Sequence, residues 1–178
     1  MEHQRFCKLT FSVVTPAVQI TQQDDGGEYF RGYAAVWFNR SNPGTTCIRG
    51  GMHYRVNRHA FDKVITSKLQ IPIWYNHDDN YILDPAGEIT PDDFGMAYSL
   101  RFDADDPDHA KVRAKIRKGI VQGSSWQGEC AYNEYREGPY LVREIVDIDP
   151  TGRVEFSIVN SPGFKAANTG TSFSVVAD

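Results

Sequence analysis

The stretch GSSWQGECAYNEYREGPYLVREIVDIDPTGRVEFSIV, residues 123–159, decides how the rest of the chain is read. Trp126, Cys130 and Tyr132 alternate with Ser125, Gln127 and Glu129, the period of two of a strand with one apolar face. PYLVREIVDI and RVEFSIV then supply two more strands, separated by the turn-forming run Asp149-Pro150-Thr151-Gly152. Three strands in succession with no helix between them argue against a doubly wound sheet, in which strands and helices alternate.

Working outward, Cys7, Leu9, Phe11 and Val13 alternate with Lys8, Thr10 and Ser12, and YFRGYAAVWF follows a turn signal at Asp24-Asp25-Gly26-Gly27. The run NRSNPGTTCIRGG reads as a loop by composition, and Asn57 reads as the N-cap of a short helix carrying Ala60, Phe61, Val64 and Ile65 on one face. Strands are expected over Leu69 to Tyr75, running out at Asn76-His77-Asp78-Asp79, then near Tyr81 to Ile89 and Phe94 to Phe102. The clearest helix has Asp106 as N-cap, Pro107 at its first position, Val112, Ile116 and Ile120 every fourth residue, and Gly119 just past its end. Seven or eight strands and two helices imply an α+β fold, a closed or partly closed antiparallel β-barrel with flanking helices. Residues 1–160 read as one domain and 161–178 as a C-terminal tail, flexible or self-processed.

The bulk numbers exclude some functions. The 178 residues carry 23 Asp and Glu against 19 Lys and Arg, a net charge of −4, which gives no broad basic surface for nucleic acid. Cys7, Cys47 and Cys130 are far apart and lack CxxC spacing, so zinc-ribbon and dithiol redox readings fail and reduced thiols are expected. No stretch approaches the length of an apolar membrane span, and the reading is of a soluble intracellular protein with no membrane or nucleic-acid partner.

Chemistry concentrates at His77, the Ser124-Ser125 pair and Glu155. A serine hydroxyl needs an imidazole to take its proton, and an imidazole works best when a carboxylate fixes its tautomer. Strand parity turns Ser125 away from the Trp126 face and Glu155 away from the Phe156 face, so both are expected on the outside of a barrel wall, within reach of a substrate. Each residue also fits an ordinary role: a polar loop histidine, a small residue on a solvated strand face, an outward charge. Asp78, next to the histidine, and Glu129, on the Ser125 face, compete for the acid. Metal ligation by His53, His59, His77, Asp78 and Asp79 lacks any pair spaced to share one face, so neither a metal nor a cofactor is expected.

The sequence resembles the prohead, or capsid maturation, proteases of tailed phages, relatives of the herpesvirus assemblins. The resemblance rests on Gly32-Tyr33-Ala34-Ala35-Val36-Trp37-Phe38, on Arg58-His59-Ala60-Phe61 before a helix, and on Asn76-His77-Asp78 followed by Gly87. It continues through Gly123-Ser124-Ser125-Trp126 and Glu155-Phe156-Ser157-Ile158-Val159, with Pro162 and Ala166 beyond. Gln127 stands where the family usually has glycine, Arg58-His59 replaces Pro-Gly, and Pro162-Gly163-Phe164 replaces Pro-Ala. The resemblance implies a herpesvirus-protease-like barrel with Ser125 as nucleophile, His77 as general base and then acid, and Glu155 as the orienting third member, with Ser124 the rival nucleophile. It further implies cleavage of scaffolding protein, or of the scaffold segment of the major capsid protein, and of the chain's own termini, by a homo-oligomer inside the assembling procapsid in the host cytoplasm. An inactive capsid-assembly or scaffold-associated barrel, and more remotely a metal-dependent hydrolase, are the competing functions.

Overall fold

The computed structural model describes residues 7–13 and 19–160; the tail expected at 161–178 lies outside the described residues. Among the described residues twelve strands, against the seven or eight expected, form two sheets, because short strands lie in runs that read as loops or single strands. The larger has the order β4(Cys47–Arg49), β5(Met52–Val56), β11(Tyr140–Ile148), β10(Gly123–Glu137), β12(Glu155–Val159), β6(Ile73–Tyr75), β7(Asp78–Asp84), with β1(Cys7–Val13) paired to β10 as an eighth strand. The smaller is β2(Gln19–Gln22), β3(Glu28–Val36), β9(Gly95–Arg101), β8(Glu88–Pro91).

The α+β class holds, but the closed antiparallel barrel does not. Among the described residues β4 and β7 end the larger sheet and are not paired with each other. The reason lies in non-local pairing. β5 runs parallel to β11, and β6 parallel to β12, so the sheet is mixed, and neighbours in space are distant in sequence. The 15-residue β10 is the spine: β1 and β12 flank its first half and β11 pairs with its second.

Local expectations fare unevenly. β1 has the expected bounds, and the Asp24–Gly27 turn joins β2 to β3 as a hairpin. The run expected to be a loop ends instead in β4 and the turn of the β4–β5 hairpin, at Gly50 and Gly51 with φ of 59° and 77°, a backbone shape that glycine adopts without strain. β6 is shorter than expected and starts after Pro72, which has no N–H to give a ladder. The short helix α1(Asp62–Thr66) begins later than expected; the Asn57 side chain accepts from His59 N–H at 3.0 Å and so closes the turn before it. α2(Pro107–Arg117) follows its signals, with Asp106 accepting from the N–H groups of Asp108 and His109 and Gly119 at φ 68° beyond the end. Val112 and Ile116 are buried, whereas Ile120 lies past the helix and is 46% exposed.

The two sheets face each other across an aromatic seam. In the smaller sheet Phe30 meets Tyr98, which meets Phe156 of the larger, which meets Phe61, which meets Trp126 edge-on, with centroids 5.3–6.2 Å apart. Trp126 and Phe156 are directly opposed in register and fix which face of β10 and β12 looks inward. Ser124 shares that inward face: a Cβ built on Gly32 of β3 would lie 2.6 Å from Ser124 Oγ. Ser125, Gln127, Glu155 and Ser157 consequently occupy the opposite face.

Candidate active site

His77 reaches this outer face through a turn. Tyr75 pairs with Asp78, so Asn76-His77 is a two-residue hairpin loop between β6 and β7, and both residues have positive φ, 55° and 60°. That is the sign pattern of a type I′ turn, in which asparagine is favoured and histidine tolerated. Backbone bonds from the neighbouring strand hold it: Asn76 N–H donates to the Ile158 carbonyl at 3.0 Å, and Asn160 N–H donates to Asn76 Oδ1 at 2.9 Å.

The imidazole Nδ1 is in hydrogen-bond contact with Glu155 Oε1. Since a carboxylate only accepts, Nδ1 carries the hydrogen, and in the neutral ring Nε2 then presents a lone pair. Nε2 is enclosed and has no hydrogen-bond partner among the described residues. The second carboxylate oxygen, Oε2, accepts from Ser157 Oγ at 2.8 Å, and the same hydroxyl accepts from the backbone N–H of His77 at 3.1 Å. Ser157 stands directly opposite Ser125 across the β10–β12 ladder, which places their Cβ atoms about 5 Å apart.

Ser124 belongs to another environment. The Tyr98 hydroxyl donates to its Oγ at 3.0 Å, between the two sheets. Burial pushes the Tyr98 phenol far above its ordinary range, so it remains a donor there. Of the competing acids, Asp78 is exposed and accepts from Asn80 N–H at 2.9 Å, and Glu129 is exposed further along β10. Neither is the carboxylate on the His77 ring. The other histidines are scattered: His53 stacks on Tyr140 with centroids 4.3 Å apart, His59 contacts Asp62, and His109 bonds to Asp103 N–H and the Leu83 carbonyl. Among the described residues no three His, Cys, Asp or Glu side chains converge.

The expectation of an outward-projecting pair needs correction. Ser125, Glu155 and Ser157 have no exposed surface, and only the His77 side chain, at 21%, meets solvent. The parity argument assigned the right face, but a face turned from the aromatic seam is not thereby bare. Trp74 stands opposite Ser157 on β6 and shares its face; the Arg153 guanidinium lies 4.3 Å from its ring centre and bonds to Asp79 at 2.9 Å. Sequence reasoning missed Ser157, which shares the parity of Glu155 two residues earlier and carries a hydroxyl. That pairing was the available signal.

A family model for the caudovirus prohead serine protease matches residues 16–177. The chain belongs to this family. No curated protein and no solved structure matches it. As a prohead serine protease it is a serine peptidase of the capsid maturation class of tailed bacteriophages, which acts within the procapsid in the host cell. No helix among the described residues is long and apolar enough to cross a membrane.

Proposed function

We propose that this prohead protease is a serine endopeptidase in which Ser125 is the nucleophile, His77 the base and then the acid, and Glu155 the carboxylate that fixes the imidazole. The observation that carries the reading is the buried Glu155 on His77 Nδ1, with Nε2 unpaired among the described residues, on the sheet face that Ser125 shares. In acylation Nε2 removes the Ser125 hydroxyl proton as Oγ bonds to the scissile carbonyl carbon. The imidazolium then returns that proton to the leaving amine as the C–N bond breaks. Water, deprotonated by Nε2, attacks the acyl-enzyme, and the carboxylic acid product leaves with Ser125 reprotonated. Glu155 supports each step by holding the hydrogen on Nδ1 and stabilising the transient positive charge.

The substrates are the scaffolding protein or the scaffold segment of the major capsid protein, together with the chain's own termini, and the working form is a homo-oligomer within the procapsid. Family membership supports this choice. Because Ser125 is buried, acylation requires its surroundings to open to a substrate. The test compares wild type with Ser125→Ala by intact mass, with capsid protein coexpressed, and by fluorophosphonate labelling. Processing and labelling are expected to vanish in Ser125→Ala and persist in Ser124→Ala. The reverse pattern, or unchanged processing in Ser125→Ala, sinks the assignment.

A further inference from the structure

We propose that Ser157 is a positioning residue for the reaction, one hydroxyl that sets both the carboxylate and the backbone of the base; this rests on the Ser-His-Glu reading above. The hydroxyl has two partners on opposite sides. It donates to Glu155 Oε2 at 2.8 Å and accepts from His77 N–H at 3.1 Å. Glu155 is fully buried, and its other oxygen faces His77 Nδ1, so Ser157 supplies its second hydrogen bond and fixes the rotation of the carboxylate plane. On the other side, His77 holds a φ of 60°, an uncommon backbone shape that histidine tolerates and that the bonds around the turn enforce. The bond to Ser157 Oγ is one of the enforcers.

Both links pass through one atom, so carboxylate and imidazole are held at a fixed mutual position instead of by separate supports. Strand geometry makes this possible. Glu155 and Ser157 are two residues apart on β12 and share a face, while the Asn76-His77 turn folds over the same strand and brings its N–H to that face. Ser157 itself touches neither substrate nor the reacting atoms in the proposed mechanism. Its effect runs through His77 and Glu155.

The test has one arm that needs no catalysis and one that does. In proton NMR of the full chain, the His77 Nδ1–H gives a downfield resonance identified by its loss in His77→Gln. Ser157→Ala is expected to lose this signal through exchange with water, and Ser157→Thr, which keeps the hydroxyl, to restore it. In parallel, the fluorophosphonate labelling rate falls about tenfold in Ser157→Ala and recovers in Ser157→Thr. A Ser157→Ala chain that keeps both the resonance and the rate overturns the proposal. If Ser157→Ala does not fold, Ser157→Cys, of similar size but a much weaker donor, decides by the same two readouts. Labelling that survives in Ser125→Ala overturns the nucleophile assignment instead, and the resonance still judges Ser157.

Discussion

Glu155 is a carboxylate with both oxygens committed, one to the imidazole of His77 and one to Ser157, in a place water does not reach. Replacing it by glutamine preserves volume but offers an NH₂ group, which either faces Nδ1 and forces the hydrogen to Nε2 or turns to Ser157 and leaves on Nδ1 an uncharged amide oxygen that stabilises the imidazolium far less. Glu155→Gln is therefore expected to slow Ser125 labelling by about 10³–10⁴-fold, measured against wild type, while far-UV circular dichroism is unchanged. A loss under tenfold would mean that Glu155 does not fix the imidazole. In the sequence, His77 and Glu155 were legible as reactive residues on strand ends, and the resemblance supplied their roles. Their contact was not legible. It depends on the parallel pairing of β6 with β12, which joins residues 78 positions apart. Ser157 stayed hidden because a serine in an apolar strand reads equally as core filler.

At the scale of elements, β3 and β10 approach unusually closely at Gly32 and Ser124. A Cβ on Gly32 would lie 2.6 Å from Ser124 Oγ and 2.9 Å from the Phe30 ring. Both obstacles are packed, and Ser124 is further held by Tyr98. Gly32→Ala is expected to destabilise the chain by about 1–3 kcal/mol in urea unfolding, and a shift within error would show that the seam relaxes freely. The same contact gives Ser124 a part in packing the two sheets, while its neighbour Ser125 lies on the opposite face of β10, the face of Glu155 and Ser157. Helix α2 was readable because Asp106, Pro107 and Gly119 encode its ends locally. The hairpin at Gly50-Gly51 was masked by a composition that also suits loops, and the bounds of β6 by the ambiguity of Pro72.

For the whole molecule, inward and outward faces were readable from alternation, but the strand order was not, since parallel neighbours are chosen by distant pairings. The barrel expectation failed at that step. Global stability also carries a pH signature from the bond between Tyr33 of β3 and Asp92 in the β8–β9 turn, 2.6 Å long. Burial pushes the Tyr33 phenol up to about 12, helped by Asp92. Burial also acts to raise the Asp92 carboxyl, yet the Tyr33 hydroxyl and the N–H groups of Gly95 and Phe94 hold it below its ordinary 3.8. A depressed carboxyl stabilises the fold above its ordinary value and loses that contribution as pH falls through the folded value; a raised phenol stabilises below 10 and loses it as pH climbs towards 12. The melting temperature of Tyr33→Phe should thus fall furthest below wild type between about pH 5 and 9, with the gap narrowing at both ends. A constant gap across pH would show that the pair is uncoupled from folding.

His77 sits on the loop that joins a three-residue strand to a strand at the sheet's border, and this has a thermal consequence. β7 has one strand neighbour among the described residues, and β6 contributes only Ile73, Trp74 and Tyr75 to the ladder. Border elements open at lower free energy than a sheet's interior, so His77 can leave Glu155 while β10, β11 and β12 remain paired. Warming should then switch catalysis off reversibly before the sheets melt, which makes the enzyme's working range narrower than its range of existence.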